Sequence, residues 1–99
     1  LLASTARQIH LQRCLGLPSP HYLHIPVAAS PAGLKLSKQT EAPALPDADP
    51  VPQLVRALAF LGQPLPPAAE RVSLAAFWEW ALAHWDAARI PAVMDRPAP

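Results

Sequence analysis

Apolar and polar positions along this chain follow two different periods. Apolar residues recur at helical spacing at Leu11, Cys14 and Leu15, then at Leu54, Val55, Leu58 and Leu61, and again at Leu74, Trp78, Ala81 and Trp85. Three amphipathic helices are therefore predicted. Between the first two, Leu23, Ile25 and Val27 alternate with Tyr22, His24 and Pro26, the two-residue period of a short strand. Pro26 has no N–H to give to a ladder, so the strand should be an edge or irregular one.

The residues between these patterns act as stops. Thr5, with Gln8 three residues later, has the form of a capping box, and Gly16 with Pro18 ends the first helix. Ser30 to Gly33 read as a turn, after which Leu34 to Lys38 return as a second short strand, making a β hairpin, or run on as a loop. Residues 41–52 hold four prolines and no apolar period, as expected of a connector between two structural units. Asp49 suits the N-cap and Pro50 the first turn of the second helix, which Gly62 ends. After the proline-rich turn at 63–72, Ser73 caps the third helix, with Leu74, Trp78, Ala81 and Trp85 expected on its core face and Trp80 on its flank beside Phe77 and His84. Pro91 stops this helix, and the tail from Met94 to Pro99 is expected to fray.

Composition narrows the possible roles. Hydrophobic residues make up 52% of the 99, but 20 of them are alanine, so the core should be modest. Eight basic and seven acidic residues give a net charge of +1 with no dense basic block, which excludes an autonomous nucleic-acid binder of the usual basic kind. The single cysteine, Cys14, excludes an internal disulfide framework and a thiolate zinc cluster, and fits a reducing cytoplasm. No apolar run approaches the roughly 18 residues of a membrane span, and no signal-peptide pattern is present. The chain opens on Leu1 and Leu2 with a helix under way, and is expected to be the tail of something longer.

Candidate chemistry centres on the chain's two lysines, Lys35 and Lys38, which flank Ser37 after the Gly33 turn. Two ammonium groups and a hydroxyl on one loop suit a polyphosphate, since each lysine is a point charge with three donors. The same residues equally describe a solvated surface loop, and there is no GxxxxGK pattern. The histidines His10, His21, His24 and His84 have no spacing that builds a metal site, so no metal is expected in this chain. No nucleophile signature such as GxSxG accompanies Ser37 or Cys14. The proline-rich connector lacks the flanking basic residue of a polyproline ligand.

Taken in order, STARQIHLQRCLGLPSPHYLHIPV, GLKLSKQTEAPAL, LVRALAFLGQPLP and WALAHWDAARIP resemble the C-terminal third of the glutamyl-queuosine tRNA(Asp) synthetases, a shortened branch of the glutamyl-tRNA synthetases. Lys35-Leu36-Ser37-Lys38-Gln39 is similar to the class I signature KMSKS, with leucine second as in the glutamate branch and Gln39 in place of the last serine. The resemblance implies a fragment that is mainly α with a short β hairpin: residues 1–45 finish a Rossmann-type α/β catalytic core, and residues 46–99 form a helical C-terminal region. It implies a parent enzyme that activates glutamate with ATP and Mg2+ and transfers it to the queuosine base in the anticodon of tRNA(Asp). Lys38 would be the principal ATP contact, Lys35 a supporting charge, and Ser37 a loop-shaping hydroxyl near phosphate. The HIGH-like motif, the glutamate-binding residues and any zinc ligands would lie upstream, so the fragment alone should be inactive. A cytoplasmic monomer is the expected state. An ordinary glutamyl-tRNA synthetase segment, and a non-catalytic helical interaction module, are the alternatives.

Overall fold

A computed structural model describes residues 2–37, 41–46, 48–69 and 71–99. The first helix, α1, spans Leu2–Cys14. It begins before Thr5, so the Thr5/Gln8 pair lies inside the helix and is not its N-terminal box. Leu2 and Ala3 are good helix formers and carry the turn upstream, and the Thr5 hydroxyl instead lies 3.3 Å from His24 Nε2. The C-terminal end is as expected: Gly16 has φ of 69°. Its N–H donates to the Arg13 carbonyl at 3.1 Å, while Leu17 N–H donates to the Gln12 carbonyl at 2.9 Å. This is the six-to-one, five-to-two closure of a Schellman motif.

The strand prediction is met in part. Strand β1 is only Val27–Ala29; the alternating residues before it are not paired in a ladder, and Leu23 and Ile25 are exposed. A three-residue loop follows, with Gly33 N–H donating to the Ser30 carbonyl at 2.8 Å and Ser30 N–H to the Leu34 carbonyl at 2.7 Å. Gly33 takes φ of 78°, the left-handed residue that a tight three-residue hairpin loop requires. The return leg is a single antiparallel bridge, Ala29 to Lys35, supported by Leu36 N–H to the Ala28 carbonyl at 3.0 Å.

The full partner of β1 is the tail that was expected to fray. Strand β2, Asp95–Pro97, pairs with β1 in parallel, with Val27 opposite Asp95, Ala28 opposite Arg96 and Ala29 opposite Pro97. The reason is an open strand edge, whose polar groups need partners. Val27 N–H finds the Met94 carbonyl at 3.0 Å, and the Ala29 carbonyl accepts from Ala98 N–H at 2.8 Å. Pro97 is tolerated because β2 is an edge strand.

The helical part follows its caps. Helix α2, Pro50–Phe60, is capped by Asp49, whose carboxylate accepts from Val51 N–H at 3.2 Å. Helix α3, Leu74–Ala83, is capped by Ser73, whose hydroxyl accepts from Ala76 N–H at 3.2 Å. They pack through Leu58, Phe77 and Ala81, with Leu54, Val55 and Val72 against them. The expected face of α3 is met at Ala81, which is buried, and corrected at the other positions: Phe77 is 1% exposed and central, whereas Trp78 is 47% exposed and Leu74 and Trp85 are exposed as well. With Glu79 its one charged residue, α3 is apolar nearly all round, so its own period does not choose a face and the fit against α2 does.

The accessible surface is 7764 Å2, against about 5,500 Å2 for a compact monomer of this mass. The radius of gyration is 16.6 Å, where about 12.6 Å would be usual for this length. Apolar residues contribute to the excess: α1 has no buried residue, and Leu11, Leu15, Leu17 and Leu23 are exposed.

Candidate active site

The lysine segment is placed by backbone bonds. Pairing across Ala28, Ala29 and Ser30 sets Lys35 opposite Ala29, which is buried at 4% exposure. From there Lys35 lines a cleft of about 490 Å3. One wall is Leu23 to Val27, the other is Pro91 to Met94, and Leu2 of α1 also contributes. Among the described lining residues only His24 and Lys35 carry polar side chains. A largely apolar cleft with a few convergent polar groups is the usual form of a small-molecule site. Here the walls are aliphatic and the polar side chains at the cleft are those of His24 and Lys35.

His24 is held from two sides. Its ring lies parallel to that of Tyr22, with centroids 6.2 Å apart, and its Nε2 meets Thr5 Oγ1 of α1. Tyr22 in turn donates its hydroxyl proton to Gln12 Oε1 at 3.0 Å. These contacts run the segment before β1 along α1 and orient that wall of the cleft.

Of the other residues in this segment, Leu36 is exposed and Ser37 is half-buried. The Ser37 carbonyl accepts from Ala42 N–H at 3.1 Å. Lys38 and Gln39 lie outside the described residues, so the structure brings Lys35 to the cleft and does not locate Lys38. No group of three potential metal ligands occurs among the described residues. His10 Nε2 lies 3.6 Å from Cys14 Sγ. Trp80 is tied into the fold: its Nε1–H donates to the Pro64 carbonyl at 3.3 Å and its ring stacks on His84 at 3.7 Å.

Sequence patterns passed over two residues that organise this region. Gln63, buried at 5% exposure, donates from Nε2 to the Leu61 and Asp86 carbonyls and accepts the Asp86 N–H on Oε1 at 2.9 Å. Arg96 donates from Nη1 to the Phe60 carbonyl. Neither sits in a periodic pattern; the only signal for Gln63 is its place just after the helix-ending Gly62.

No protein-family model matches the chain. Among curated proteins it is 50% identical, over all its 99 residues, to a glutamyl-Q tRNA(Asp) synthetase of Aromatoleum aromaticum. Over its whole length the chain matches the C-terminal third of proteins named glutamyl-Q tRNA(Asp) synthetase. It is 56% identical over 91 residues to the one from Dechloromonas aromatica and 59% identical over 87 residues to that from Burkholderia mallei. The matches cover 100%, 92% and 88% of this chain but only 31%, 30% and 29% of those synthetases. The chain thus spans about a third of the length of the curated relatives it matches, corresponding to their C-terminal third.

Proposed function

We propose that this chain is the nucleotide-gripping segment of an enzyme that activates glutamate with ATP and transfers it to the queuosine base of tRNA(Asp). The observation that carries the reading is the Lys35 position: within a chain 50% identical throughout to a named glutamyl-Q tRNA(Asp) synthetase, the first lysine of the KMSKS-like signature lines the large cleft beside β1. The unburied α1 and the excess surface support a segment that is part of a larger body. In this reading residues 1–45 complete a class I Rossmann-type core and residues 46–99 are its helical appendage. The enzyme works as a cytoplasmic monomer, and any zinc is held upstream.

In glutamate activation the carboxylate attacks the α-phosphorus and pyrophosphate leaves, so negative charge grows on the phosphate oxygens. Lys35 at the cleft supplies a cation to those oxygens, Lys38 supplies the principal one, and Ser37 shapes the loop between them. Mg2+ enters with the triphosphate. In this reading the segment contributes cations and apolar walls to the site.

The test uses the full-length enzyme. Lys38→Ala should slow glutamate-dependent ATP–pyrophosphate exchange by roughly 10²- to 10³-fold, the scale for losing one transition-state donor. Exchange near the parental rate would remove Lys38 from the mechanism. Labelled glutamate should pass to queuosine-containing tRNA(Asp) and not to the queuosine-free form. Detectable exchange by the isolated 99-residue chain would overturn the division of labour.

A further inference from the structure

The tail connects the helical unit to the lysine segment through one side chain. Arg96 is half-buried in β2, while its neighbours Asp95 and Pro97 are exposed, as the alternation of a strand requires. Its guanidinium donates to the Phe60 carbonyl and lies 5.4 Å from the centre of the Phe60 ring. Phe60 is the last residue of α2, where carbonyls lack helical partners and the dipole favours a cation. One residue therefore satisfies a helix end, makes a cation–π contact and belongs to a strand.

The same helix end anchors the start of the tail. Arg89 Nε donates to the Gly62 carbonyl at 3.1 Å, and the Arg89 carbonyl lies where a Cβ on Gly62 would come within 2.5 Å. From that anchor the chain runs past Pro91 to Met94, which form one wall of the cleft, and then pairs with β1. On its other edge β1 carries Leu34 to Leu36.

We propose that Arg96 is a positioning residue: by locking β2 to the end of α2 it holds β1, and through β1 the Lys35 segment, in register with the opposite wall of the cleft. This rests on the reading of that cleft as the nucleotide site. Arg96 touches no reacting group in this scheme. It acts through two hydrogen-bonded strands, so its loss loosens the lysine segment without removing a charge from the cleft.

The experiment compares Arg96→Met, which keeps the apolar stem, with Arg96→Lys, which keeps a cation, in the full-length enzyme. Arg96→Met should speed backbone amide exchange at Leu36 and Ala98 about tenfold, the scale of one lost charge-assisted hydrogen bond. It should also raise KM for ATP in pyrophosphate exchange while KM for glutamate stays put, and Arg96→Lys should recover most of both. Unchanged amide exchange in Arg96→Met overturns the proposal, as do KM values for ATP and glutamate rising together or a lysine variant that rescues nothing. Should Arg96→Met not fold, Phe60→Leu removes the ring and leaves the carbonyl, and it is judged by the same readouts. Lys35→Ala separates the two inferences: an unchanged KM for ATP there sinks the functional reading, while amide exchange still judges the strand link.

Discussion

The two ends of this chain bury their apolar residues very differently. In the α2–α3 unit Phe77 is enclosed by Leu58, Ala81, Leu54, Val55 and Val72, both helices are capped, and the buried Gln63 has its polar atoms bonded. In α1 the leucines point outward and none of the helix is buried. Its C-terminal end is nevertheless well formed, with a closed Schellman turn at Gly16. A helix can thus be locally complete and still lack the packing that normally supplies most helical stability in proteins. The α2–α3 unit encloses its own core, whereas α1 leaves its leucines exposed.

Substitutions can break that contrast, and the largest effect belongs to the core. Phe77→Ala should destabilise the α2–α3 unit by about 3–5 kcal/mol, read by urea unfolding with tryptophan fluorescence; a loss below about 1 kcal/mol would mean the helices are not held by this contact. Gly62→Ala comes next, at about 3 kcal/mol. Its φ of 70° is in the left-handed region, and the added methyl would meet the Arg89 carbonyl, so the segment after α3 must shift. Gln63→Ala should cost about 2 kcal/mol, because it leaves the Asp86 N–H and carbonyl without their partners, and faster amide exchange at Asp86 would report it. Smallest in this chain are Leu11→Ala and Leu15→Ala, under about 0.5 kcal/mol each, since these side chains are 60% and 64% exposed. In the longer enzyme proposed above the same two should cost about 2 kcal/mol or more each. Equal, small effects in both settings would show that the α1 face is a solvent surface after all.

Several features were legible because they are decided within a few residues. Asp49 and Ser73 cap as their short polar side chains allow, and Gly16, Gly33 and Gly62 all take positive φ at the stops where they were expected. The cap of α1 was misplaced because Thr5 and Gln8 make the same three-residue pattern inside a helix as at its start. The face of α3 was misread for a related reason: Phe77, Trp78, Leu74 and Trp85 are all large and apolar, and only contact with Leu58 of α2 distinguishes them. At the candidate site, the resemblance of Lys35 to Gln39 to the KMSKS signature rests on residue order alone. That Lys35 shares a cleft with Pro91 to Met94 was not legible there, because those residues lie more than fifty positions away and carry no motif.

What the sequence by itself determined is local: where helices stop, which turns need glycine, and the family that the chain resembles. Each follows from backbone sterics or from residue identity over short spans. The tertiary structure alone decided the pairing of β2 with β1, the choice of Phe77 over Trp78 for the core, and the reach of Arg96 to Phe60. Those depend on contacts between distant segments, where an open strand edge, an unsatisfied helix end and the shape of a facing helix select among residues that local chemistry leaves equivalent.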